Sequence, residues 1–83
     1  MRTPHAELLH TQVDRYAAEE IRAELGRQNV SQLQLARSLG WSAIYLSRRL
    51  KGQVSFSLVD VFAIARALGV PVSRFIQRES AVA

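Results

Sequence analysis

The stretch from Val30 to Gly52 constrains this 83-residue chain more than any other: Val-Ser-Gln-Leu-Gln-Leu-Ala-Arg-Ser-Leu-Gly-Trp-Ser-Ala-Ile-Tyr-Leu-Ser-Arg-Arg-Leu-Lys-Gly. It reads as two short helices joined by a tight turn. Ser31 is a good N-cap, and Gln34 three residues later completes a capping-box pattern. Leu35, Ala36 and Leu39 fall on one helical face, and Gly40 supplies the backbone freedom that ends a helix. Ser42 caps a second helix whose apolar seam is Leu46 and Leu50, and Gly52 closes it. The small Ala36, with glycine four residues on, lets the two helices cross closely at a steep angle. The second helix then has one face buried and the other outside.

The remaining chain keeps the helical period. Residues 1–10 are expected to form an arm, which either starts a short helical turn at Thr3-Pro4 carrying Leu8 and Leu9 or is loose. His5 and His10 are five apart, a poor spacing for joint metal ligation, and read as exposed. Thr11 opens the first long helix, with Val13, Ala17, Ile21 and Leu25 as its core stripe. Helices two and three occupy about 32–39 and 43–51, and Val54 or Phe56 plugs the core beneath the third. Ser57 and Asp60 make another capping-box-like start for a fourth helix, with Leu58, Val61, Ile64, Ala65 and Leu68 facing inward. Gly69 ends it. Pro71 can begin a helix, and residues 72–77 form a short fifth one docked through Phe75 and Ile76. Residues 79–83 are a frayed tail, leaving 11–78 as one all-α domain, a compact five-helix bundle.

Charge is placed unevenly. The formal net charge is +4, yet no acidic side chain lies between Leu25 and Val59, where Arg27, Arg37, Arg48, Arg49 and Lys51 all sit. A polyanionic partner accounts for that window better than chance clustering on a solvated surface. With no cysteine, disulfides and thiolate metal sites are excluded, and a reducing cytoplasm suits the chain. No apolar run approaches the roughly 20 residues needed to span a bilayer, and no signal-peptide core is present. Enzyme chemistry is not expected, nor is any cofactor. Neither histidine is near the glycine turns, no phosphate-cradling glycine loop occurs, and the adjacent Glu19 and Glu20 splay apart on a helix.

A helix-turn-helix of this kind suits a DNA major groove. Residues 21–76, about two thirds of the chain, resemble the Cro/C1-type (XRE) helix-turn-helix family of bacterial and phage regulators. The resemblance rests on Ser31-Gln32, Leu35-Ala36, Leu39-Gly40, Ser42, Leu46-Ser47-Arg48, Gly52, Ile64-Ala65 and Ala67-Leu68-Gly69-Val70. It implies the lambda-repressor-like bundle, here with an N-terminally extended first helix, and Asn29 stands where the family often has a left-handed glycine. Many members carry an apolar residue and then Glu where this chain has Arg49 and Leu50, so contacts at Arg49 do not carry over. The implied role is a repressor, most like a phage immunity repressor or Cro protein, in the cytoplasm at the nucleoid of a bacterial or phage-infected cell.

The residues say how DNA is read. Phased on Leu46 at about 100° per residue, Leu50 lies beside it, while Ile44, Arg48 and Lys51 lie opposite, with Ser47 and Tyr45 on the flanks. Ser42 and Ala43 occupy the first turn, which approaches base edges most deeply. The resemblance implies base contacts at Ala43, Ile44 and Arg48: a methyl contact to thymine and a bidentate Arg48 contact to guanine. The candidate base-reading set is therefore Ser42, Ala43, Ile44, Ser47 and Arg48. Gln32, at the start of helix two, is expected on a backbone phosphate, with Arg37, Tyr45, Arg49 and Lys51 as further phosphate partners. Arg49, near the edge of the buried face, can also snorkel, and Trp41 in the turn reads as packing.

A second reading is a protein-interaction module, such as an antitoxin, that binds DNA only secondarily. Val59 and Phe62 fall largely off the helix-four core face, and Leu8 and Leu9 are unassigned, so these four form a candidate partner surface. A homodimer on half-sites about one turn apart and a monomer on one asymmetric site both suit the sequence.

Overall fold

The computed structural model describes the backbone of residues 4–76 and the side chains of residues 15–76. Five helices occur among them: α1 (Pro4–Gln28), α2 (Gln32–Leu39), α3 (Ala43–Leu50), α4 (Leu58–Leu68) and α5 (Ser73–Ile76). Three serines start three of them by one device. The side chains of Ser31, Ser42 and Ser57 accept hydrogen bonds from the amides of Gln34, Tyr45 and Asp60, at 3.0, 3.1 and 3.1 Å. Each cap is worth about 1 kcal/mol. At α2 the Gln34 side chain also accepts from the Ser31 amide, closing the capping box.

The turn between α2 and α3 depends on Gly40. Its φ is 73°, and the amides of Gly40 and Trp41 reach back to the carbonyls of Arg37 and Ala36. That is a Schellman ending, and only glycine adopts it without strain. Asn29 performs the same office after α1 at φ 57°, with Val30 donating to the Leu25 carbonyl. Asparagine pays a little for this conformation but tolerates it.

One core joins all five helices. Ile21, Leu35, Ala36, Leu46, Ile64 and Phe75 are fully buried, with Leu25, Leu50, Phe56, Val61 and Leu68 around them. α1 packs against α3, α4 and α5, and α2 against α3 and α4. The buried members of the α1 stripe are Ala17, Ala18, Ile21 and Leu25, and Phe56 rather than Val54 is the buried plug.

The structure corrects three expectations. Helix α1 starts at Pro4, not Thr11, so residues 4–10 continue the helix. Proline at the first helical position gives up no hydrogen bond, and residues 5–10 contain no helix breaker. Leu58 is 59% exposed although it shares the angular sector of Val61 and Leu68. It stands in the first turn of α4, at the end of the helix and outside the core. Asp60, expected to fold back onto its own helix start, sends its carboxylate to α3. The side chains of His5, Leu8, Leu9, His10 and Val13 and the tail 79–83 lie outside the described residues.

Candidate nucleic-acid interface

Helix α3 has its two faces sharply divided. Leu46 and Leu50 are 0% and 1% exposed, whereas Ile44 is 70% exposed. Ala43, Arg48 and Lys51 are exposed beside Ile44, and Ser47 is half-buried on the flank. Burying an Ile side chain is worth roughly 2 kcal/mol, so one left outside forgoes that gain within the domain. Ser42 is exposed at the N-terminus of α3. Its oxygen is engaged by the Tyr45 amide, and its hydroxyl hydrogen can donate outward. Gln32 is exposed at the first position of α2, and Arg37 is exposed five residues further on.

The other flank of α3 turns inward. The Tyr45 hydroxyl donates to Oδ2 of Asp60 at 2.8 Å. The Arg49 guanidinium lies 3.5 Å above the Tyr45 ring, and its Nη1 donates to the Tyr45 carbonyl at 3.1 Å. Its Nε is 3.7 Å from Asp60 Oδ2 and has no hydrogen-bond partner. Trp41 adds a tilted ring contact, its centroid 5.0 Å from that of Tyr45 and its plane at 59° to it. Tyr45 and Arg49, expected on phosphate, are thus gathered into a half-buried cluster between α3 and α4. The hydrogen bond to Asp60, and burial after it, raise the Tyr45 pKa above its ordinary 10.0.

This arrangement thins the cationic window. Arg27 pairs with Glu24 at 3.0 Å and lies 3.7 Å from Glu20, and Arg49 faces Asp60. Of the five cations between residues 25 and 59, Arg37, Arg48 and Lys51 form no ion pair among the described residues. Those three are exposed.

Two structural carboxylates escaped the sequence reading. Asp60 looked like a capping residue, because nothing local links it to Tyr45, fifteen positions away. Glu24 is 4% exposed and accepts from Gln28 at 2.8 Å, Arg27 at 3.0 Å and Arg74 at 2.9 Å. Its spacing to Arg27 and Gln28, three and four residues on, is a readable sign of a local pair. Arg74, fifty residues on, leaves no such trace. Among the described residues no group of His, Asp and Glu is placed to hold a metal ion.

A capped short helix set by a Schellman turn against a second one, with its exposed face cationic and apolar, defines a helix-turn-helix DNA-binding domain. A family model described as helix-turn-helix matches residues 21–75. The chain belongs to that family, the Cro/C1-type regulators, and is a DNA-binding transcription regulator that acts on double-stranded DNA. No curated protein matched the sequence. The family is one of regulators, not enzymes, and no described helix is long and apolar enough to cross a membrane.

Proposed function

We propose that this protein is a sequence-specific repressor, most like a phage immunity repressor, that inserts α3 into the major groove. The observation that carries this reading is Ile44, 70% exposed beside Arg48 on the face opposite the buried Leu46 and Leu50. A hydrophobic side chain displayed among cations suits the methyl group of thymine, and Arg48 suits the paired acceptors of guanine. Ser42, Ala43 and Ser47 complete the base-reading set. Gln32, Arg37 and Lys51 are the phosphate partners, with the N-terminus of α2 beside Gln32. Tyr45 and Arg49 support the groove-facing residues from behind. Selection of preferred duplexes from a random pool tests the reading. A recurring site containing guanine and thymine is expected, and its symmetry reports whether one or two chains bind. A pool that emerges without any preferred sequence would refute it.

The second reading, an antitoxin-like interaction module, draws on one observation. Val59 and Phe62 are 76% and 47% exposed and line an open groove with Leu39, Ala63 and Arg66. In that case Phe62→Ser abolishes binding to a protein partner and leaves duplex affinity as it was.

A further inference from the structure

A cleft of about 330 Å³ opens between α1, the C-terminal end of α3 and the loop that follows it. Its size is at the lower end for ligand sites, about 300–1,000 Å³. Helix α1 lines it with Arg15, Glu19 and Arg22, spaced four and three apart so that they share one face. The end of α3 adds Arg49 and Lys51, and the buried Leu50 and Phe56 supply apolar wall.

The charges do not balance. Among the described residues Glu19 is the one carboxylate lining the cleft, and Asp60 offsets Arg49. Two of the four positive charges are left without a counter-charge among the described residues, since no ion pair there involves Arg15, Arg22 or Lys51. Arg22 is held in place by donating to the Leu50 carbonyl, the last of α3. That single bond leaves other guanidinium N–H groups to serve an occupant. Concave, low-dielectric walls concentrate the field of such a cluster.

We propose that this cleft binds a phosphate group, carried either by a small anion or by the DNA backbone. Anchored guanidinium groups bind phosphate through paired, charge-assisted hydrogen bonds, and Lys51 adds a point charge. The site goes beyond the groove-reading face, and its small-anion form is measured without DNA.

The test is calorimetric titration of the full chain with sodium pyrophosphate at low ionic strength, beside Arg15→Gln and Glu19→Gln. If a small anion is the occupant, binding is saturable. Arg15→Gln weakens it by about threefold or more and Glu19→Gln strengthens it by a similar factor. The gain in the second variant cannot come from misfolding. If the backbone is the occupant, pyrophosphate does not bind, and Arg15→Gln lowers the salt slope of duplex binding by about 0.9 log units. The proposal is overturned if pyrophosphate binding ignores both substitutions, or if there is no binding and the salt slope is unchanged.

Discussion

The Tyr45 hydroxyl of α3 donates to the Asp60 carboxylate of α4 across 2.8 Å, and Arg49, one turn beyond Tyr45, stacks over the same ring. Two residues four apart on α3 are thereby pinned to one residue on α4. The pinning sets how α3 is rotated about its own axis, and so where Ile44 and Arg48 point. Asp60→Ala should lower the melting midpoint more than Asp60→Asn, because asparagine keeps an acceptor for Tyr45 whereas alanine leaves both partners unserved. The pH dependence follows from the raised Tyr45 pKa. Its stabilising contribution is complete below pH 10.0 and is lost as pH climbs through the higher folded value. Ultraviolet titration of the native protein should show a late-ionising phenol that Tyr45→Phe removes. A phenol still ionising late in that variant excludes Tyr45 as its source.

The two faces of α3 make opposite predictions for two aliphatic residues. Leu50→Ala should cost about 2–5 kcal/mol of stability, since Leu50 is 1% exposed within the common core. Ile44→Ala, on the 70% exposed side, should change stability by no more than about 0.5 kcal/mol while altering the preferred DNA site. Thermal melts of both variants decide the matter, and a large loss in Ile44→Ala places that residue in a packing role.

The same contrast separates what the sequence specifies locally from what only the packed fold decides. The α2–turn–α3 unit was legible because caps, glycine and the four-residue apolar seam act within one or two turns. Ser31 with Gln34, Gly40 at φ 73° and Leu46 with Leu50 all take the places that the local chemistry assigns. Leu58 misled because angular phase says nothing about where a helix end protrudes from its neighbours. Asp60 misled for a related reason: its capping role is sound locally, but its carboxylate meets Tyr45 fifteen residues away and faces Arg49 eleven residues away. The start of α1 was obscured by proline, which marks the beginning of a helix as readily as its end.

Arg48 and Gln32 separate reading from holding. Arg48→Ala should weaken the preferred duplex by about 1–3 kcal/mol and random duplex far less, since a guanine contact carries the discrimination. Gln32→Ala should weaken both alike, because a phosphate contact carries none. Arg37, Arg48 and Lys51, exposed and without an ion pair among the described residues, imply a salt slope near 0.9 log units for each that meets a phosphate. Fluorescence anisotropy across a salt series measures both quantities. Equal loss on the two duplexes in Arg48→Ala moves that residue to the phosphate class.

Glu24 predicts how the domain responds to acid. The Gln28 amide, followed by the Arg27 and Arg74 guanidinium groups, lowers its pKa from 4.5 to about 2 against the opposing effect of burial. A folded pKa below the unfolded one means that the carboxylate stabilises the fold fully above pH 4.5. The contribution drains away as pH falls from there toward about 2. Gln28 also donates to the Leu68 carbonyl at 2.8 Å, and Arg74 belongs to α5, so protonating Glu24 slackens the ties among α1, α4 and α5 together. Glu24→Gln should therefore melt below the parent at pH 6, with the gap closing as the pH is taken down to 2. Salt should change that gap little, because the Glu24 side chain is 5% exposed and its pairs are poorly screened. A gap of the same size at both pH values removes Glu24 from the acid response and points to packing alone.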